Sequence, residues 1–103
     1  MGITVKKTNA SCGAYVTGID LSQKISDDLG GLLREHWLEN KVLIFPDQNL
    51  TDDDLENFTL AFGEFGDDPF FGHIDGHKNI AAIQRDPDET TPIFAEVFHT
   101  DWS

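Results

Sequence analysis

The stretch KVLIFPDQNLTDDDLENFTLAFGE, residues 41–64, changes its kind of order halfway along. Val42 to Phe45 is an unbroken apolar run closed by Pro46, which suits a strand buried on both faces. From Thr51 onward the apolar residues follow a helical period instead. Leu55, Phe58, Ala61 and Phe62 fall on one face, and Gly63 is placed to end the helix. Thr51 is a natural N-cap, because its hydroxyl can accept from the Asp54 backbone N–H while the Asp54 carboxylate answers the Thr51 N–H. A buried strand followed by a capped amphipathic helix points to mixed α and β structure.

Working upstream, a first helix comes before the strand. Ser26 is its expected N-cap, with Asp27 and Asp28 in the first turn, where negative charge is favourable. Leu29, Leu32, Leu33, His36 and Trp37 then share one helical face, and His36 is expected to be a packed residue there. Gly30 and Gly31 weaken the helix by about 1 kcal/mol each relative to alanine. Asn40 is the expected terminator. Before the helix, ITVKKTN and AYVTGID read as two short strands around a turn at Gly13, with Ile3 and Val5 alternating with polar neighbours, and Tyr15 and Thr17 doing so more weakly.

Downstream, GEFGDDPFFGHIDGHKN has no period and reads as loop. IAAIQRD reads as a strand, PDETTP as a turn, and IFAEVFHTDWS as extended. No repeat, low-complexity tract or linker divides the chain, so a single domain over residues 1–103 is expected.

Composition narrows the function classes. Nineteen acidic residues against seven basic ones give a formal net charge of −12, which repels phosphate backbones and argues against nucleic acid as a partner. The run Asp52-Asp53-Asp54 reads as a solvated helix start, and no EF-hand spacing supports calcium. No apolar run approaches the ~20 residues of a membrane span, and MGITVKKTNA lacks the apolar core of a signal peptide. One cysteine, Cys12, excludes an internal disulfide framework. A cytoplasmic protein that uses no membrane is the expectation.

The chemistry-bearing residues are near the end. On an extended strand, side chains at i and i+2 point the same way, so His99 and Asp101 can reach one ion. One imidazole and one carboxylate are two parts of the two-His-one-carboxylate triad that suits non-haem Fe(II). His73 and His77 in GHIDGH are a candidate source of the third ligand, although Gly72, Asp75 and Gly76 make a helix there unfavourable. GEFGDD has glycines but no phosphate-loop lysine, so nucleotide binding is unsupported. No nucleophile elbow is present, and Cys12 has no CxxC partner.

In combination, GAYVTGIDLSQ, KVLIFPDQNLTDDDLENFTLAFGE and FHTDWS resemble the N-terminal part of the taurine dioxygenase family of Fe(II)/2-oxoglutarate-dependent oxygenases. The resemblance covers nearly the whole chain. It implies an α+β fold, the opening portion of a double-stranded β-helix (jelly-roll) oxygenase, with short strands and two helices packed on a sheet. It also implies Fe(II) and 2-oxoglutarate as cofactors, oxidation of a small-molecule substrate, and release of succinate and carbon dioxide. His99 and Asp101 match the first two iron ligands. The family's distal His and its 2-oxoglutarate-binding Arg have no counterpart within these residues, so the chain is expected to be a truncated segment, inactive alone.

An ungapped alignment places Asp68 and Phe71 where taurine-specific members carry substrate-contacting His and Tyr, and Ala95 where they carry Asn. Asp68 would repel a sulfonate, which disfavours taurine. Phe98 is compatible with an apolar wall of a substrate site. The alternative from another class is a non-enzymatic acidic α+β module with no productive metal site. Either way, uncovered apolar faces and strand edges lead us to expect a homo-oligomer.

Overall fold

The computed structural model describes residues 2–66, 72–92 and 97–99. The chain divides into two compact units, Met1–Phe65 and Gly66–Ser103. The first holds β1 (Thr4–Lys7), β2 (Ala14–Thr17), α1 (Asp27–Asn40), β3 (Leu43–Ile44) and α2 (Asp52–Leu60); the second holds β4 (His73–Ile74) and β5 (His77–Ala81). Both units mix short strands with irregular chain, and the first adds the two helices, so the class is α+β.

In the first unit the sheet runs β1-β2-β3. β1 pairs antiparallel with β2, setting Val5 opposite Val16, and β3 pairs parallel with β2, setting Ala14 opposite Leu43 and Tyr15 opposite Ile44. A parallel neighbour cannot be reached by a tight turn, and α1 is the crossover that the geometry requires. Gly13 donates to the Asn40 carbonyl at 2.7 Å and Ala14 to the Val42 carbonyl at 3.0 Å, which ties the start of β2 to the chain leaving α1. Gly13 has φ 102°, and a Cβ there would sit 3.2 Å from Thr8 Cγ2, so both backbone and space call for glycine.

Ala14, Val16, Leu21 and Leu33 form the buried core. β2 alternates as expected of a half-buried strand, but the inward residues are Ala14 and Val16, while Tyr15 and Thr17 face out. Ala14 is fully buried, whereas Tyr15 is 44% exposed. The run Val42 to Phe45 also departs from expectation. Only Leu43 and Ile44 are strand, and Val42 is 47% and Ile44 37% exposed. Among the described residues β3 is paired on one side only, so its outer edge is left unpaired.

Both expected caps are present. Ser26 Oγ accepts from the Leu29 N–H at 3.1 Å. Thr51 Oγ1 accepts from the Asp54 N–H at 3.1 Å, and Asp54 Oδ2 accepts from the Thr51 N–H at 3.0 Å, a complete reciprocal box. The ends of the helices differ. Asn40 remains helical and buried, and its amide donates to the His36 carbonyl while its Oδ1 accepts from Lys7 Nζ. The left-handed residue is Lys41, at φ 73°. α2 ends at Leu60, before Gly63, because Ala61 and Phe62 donate to the Phe58 and Thr59 carbonyls in tighter i to i−3 bonds. On α1 the inward residues are Gly30, Leu33 and Asn40, with His36 half-buried and Leu32 at the margin. On α2 Leu55 is exposed, while Phe58, Ala61 and Phe62 are half-buried.

In the second unit, residues expected as loop form a hairpin. β4 pairs antiparallel with β5, with Ile74 opposite His77 across Asp75-Gly76, and Gly76 takes φ 78°. Asp-Gly between apolar-flanked segments is a strong hairpin signal, outweighed in the sequence by the surrounding glycines and charges. β5 ends at Ala81, so the expected strand over 80–86 covers only its last two residues. Of the expected extended segment 93–103, residues 97–99 are described, as a bend followed by irregular chain.

Candidate metal centre

His99 is exposed, and its Nδ1–H donates to the Val97 carbonyl oxygen at 2.9 Å. A carbonyl can only accept, so the contact requires the proton on Nδ1; in the neutral ring Nε2 is then the acceptor nitrogen. That is the tautomer a metal-binding histidine needs when its far nitrogen is the ligand atom. The Val97 carbonyl is thus one partner of this ring. The donor set also fits Fe(II): an imidazole from His99 and a carboxylate from Asp101 are both acceptable to it. Asp101 lies outside the described residues, as do Asp68 and Phe71. Phe98 is fully exposed.

His73 and His77 are carried on opposite strands of the hairpin. His73 Nδ1–H donates to the Ile74 carbonyl at 3.0 Å. Among the described residues, His73, His77 and His99 do not gather around a common point within reach of one ion.

The first unit shows why the motif segments occur together. The Gln48 amide donates to the Ile19 carbonyl at 2.9 Å, and its Oε1 accepts from the Leu21 N–H at 3.0 Å. One side chain thus pairs with the backbone on both sides of Asp20, as a neighbouring strand would, and locks GIDL to the loop after β3. Asp20 itself turns back on Ser22, whose hydroxyl donates at 2.6 Å and whose N–H donates at 2.9 Å. These bonds, the hydroxyl's first, hold the Asp20 carboxyl below its ordinary 3.8.

Beside β3, Phe45, Phe58, Phe62 and Trp37 stand edge to face in series, with centroids 5.2 to 5.7 Å apart. With Leu43 and Thr59 they line an open apolar cleft of about 290 Å³. Arg34 lies over the Trp37 ring, 5.9 Å from its centroid, and donates to the Phe62 carbonyl. This bridge between α1 and the end of α2 was signalled only by the i, i+3 spacing of Arg34 and Trp37. The role of Gln48 had no sequence signal, because it depends on a loop 27 residues away.

Comparison with known proteins bears on the whole chain. The family model described as "Taurine catabolism dioxygenase TauD, TfdA family" matches residues 4–103. An (S)-phenoxypropionate/alpha-ketoglutarate-dioxygenase of Sphingobium herbicidovorans is 45% identical over 56 residues, covering 53% of this chain and 19% of that protein. A taurine dioxygenase from Burkholderia xenovorans superposes with a TM-score of 0.68 at 35% identity, over 81% of this chain and 31% of that one. The enzyme AAD-2, solved in complex with Mn(II) and N-oxalylglycine, gives a TM-score of 0.60 at 26% identity, over 63% of this chain and 26% of its own. The chain therefore spans about a fifth of the curated relative and about a third of the taurine dioxygenase. With the match running from Thr4 through the His99-Thr100-Asp101 motif to the last residue, the chain belongs to the TauD/TfdA dioxygenase family.

Proposed function

We propose that the protein is a non-haem Fe(II)/2-oxoglutarate-dependent dioxygenase acting on a small molecule, and that residues 1–103 are the opening portion of its jelly-roll fold. The observation that carries this is the family match through His99 and Asp101, the two residues we assign as metal ligands. The complex of AAD-2 with Mn(II) and N-oxalylglycine, an amide isostere of 2-oxoglutarate, supports the cofactor pair. When bound, the iron and 2-oxoglutarate would supply the oxidising power for attack on the substrate.

The contributions of this chain are narrower. His99 offers an imidazole nitrogen, and Asp101 offers a carboxylate two residues on. Together they supply two donors, whereas a facial triad needs three. Residues 1–103 alone therefore bind metal weakly and do not couple 2-oxoglutarate decarboxylation to oxidation. Taurine is not the substrate we propose, because Asp68, aligned with a substrate-contacting His of taurine-specific members, would repel its sulfonate. A carboxylic acid of the kind named for the Sphingobium relative is the first alternative to assay. A cytoplasmic location and self-association complete the proposal; exposed Tyr15, Val42 and Ile44 are the apolar surface that an oligomer would cover.

Cobalt(II) absorption tests the ligand assignment. The chain should bind Co(II) weakly, and His99→Ala should remove the binding. Tight binding that survives the substitution would refute it.

A further inference from the structure

We propose that the aromatic cleft beside β3 is the seat of the remainder of the same polypeptide: an apolar segment that follows Ser103 packs into it and covers it. This rests on the reading of residues 1–103 as the opening portion of a longer enzyme. The core of the first unit is built from Ala14, Val16, Leu21 and Leu33, and its largest apolar side chains lie outside that core. Trp37, Leu43, Phe45, Phe58 and Phe62 line the cleft with Thr59; none of the six is buried, and Trp37 is 41% exposed. The rings nonetheless stand edge to face, as aromatic side chains do in an interior. A continuous apolar surface of this kind marks a contact.

The chemistry of the cleft chooses among occupants. A small molecule needs a few placed polar groups to fix its orientation, in a pocket of about 300–1,000 Å³. The cleft is about 290 Å³, and its one polar side chain, Thr59, already donates its hydroxyl to the Leu55 carbonyl at 2.8 Å. A second copy related by a two-fold axis would set the same patch against itself, and one concave cleft cannot fill another. Further chain of the same protein has neither limit. Residues 1–103 span 31% of the taurine dioxygenase, so the larger part of that protein has no counterpart in them. Among the described residues the outer edge of β3 is unpaired beside Leu43 of the lining, which offers such a segment backbone partners as well.

Thiol reactivity tests this. Thr59→Cys in a Cys12→Ser background places a thiol in the cleft, and its alkylation by iodoacetamide is followed by mass spectrometry, native against urea. In residues 1–103 the native rate should be close to the rate in urea, and in the full-length protein it should fall by more than about tenfold. Fluorine NMR checks the same point without changing the lining residues. In 5-fluorotryptophan-labelled protein the Trp37 resonance, assigned by its loss in Trp37→Phe, should show a solvent isotope shift in residues 1–103 and lose it in the full-length protein. A cleft that stays reactive and wet in the full-length protein would overturn the proposal, as would protection already present in residues 1–103. Protection that grows with the concentration of those residues would give the cleft to a second copy, and protection that needs an added aryl acid would give it to a ligand; both count against the proposal. Succinate release by the full-length protein separates the two readings. An active enzyme with an open cleft refutes this inference alone, whereas a protected cleft without iron-dependent succinate supports the inference and counts against the proposed activity.

Discussion

Replacing Gln48 with alanine should cost this chain about 2–4 kcal/mol. Two well-formed hydrogen bonds vanish, to the Ile19 carbonyl at 2.9 Å and from the Leu21 N–H at 3.0 Å; a third, to the Pro46 carbonyl, is long at 3.4 Å and adds little. The bond to Ile19 contributes about 1 kcal/mol, and the Leu21 N–H left without its partner costs about 1–3 kcal/mol. Leu21 is 5% exposed, so water reaches its N–H poorly once the amide is gone. Against the 5–15 kcal/mol typical of a native domain, such a loss would be visible as a lower urea midpoint at unchanged slope. Trp37 and Trp102 fluorescence can follow the transition, and amide exchange at Leu21 should quicken locally. Gln48→Glu should also destabilise, because it keeps the acceptor for Leu21 but turns a carboxylate toward the Ile19 carbonyl. A Gln48→Ala change within about 0.5 kcal/mol of the parent, the range of ordinary surface substitutions, would refute the idea that this side chain joins the two loops.

Three further outcomes are expected. Gly31→Ala should stabilise α1 by about 0.5–1 kcal/mol, since a Cβ there meets nothing within 4 Å, and thermal unfolding will read it. Asp20 should titrate below 3.8 in the folded chain; its contribution to stability is then present above the unfolded pKa and is lost as pH falls through the folded one. Carboxyl NMR of Ser22→Ala should show the Asp20 value moving back up. Sedimentation at micromolar concentration should give a dimer or larger species, and a cooperatively folding monomer would count against the apolar surface of β2 and β3 as a contact.

The parts of the fold that depend on neighbouring residues were legible in the sequence. Ser26 and Thr51 cap their helices through bonds spanning three residues, and the reciprocal answer from Asp54 is chemistry at fixed spacing. What depends on distant chain was not. The apolar run at Val42 to Phe45 reads as a doubly covered strand, but its cover depends on what packs on the sheet, and among the described residues Val42 and Ile44 stay partly exposed. Tyr15 and Ala14 could exchange faces in any local pattern; which face is buried depends on chain distant in sequence. The hairpin at Asp75-Gly76 was available from its turn residues and was masked by the glycines around it. At the candidate site the donor types and spacing of the two proposed ligands are properties of the sequence itself, because His and Asp at i and i+2 carry their chemistry with them. The Val97 contact was not, since it depends on the bend between residues 97 and 99 rather than on which side chains are there.

Succinate release tests the central claim most directly. Residues 1–103 should replace the matching segment of the 35% identical Burkholderia xenovorans taurine dioxygenase, and the folded chimera should be supplied with Fe(II), 2-oxoglutarate, oxygen and a panel of small acids. The account predicts iron-dependent succinate from the chimera, its loss in His99→Ala and in Asp101→Ala, and none from residues 1–103 alone. Succinate that persists without His99, or iron-dependent succinate from the 103 residues by themselves, would contradict it.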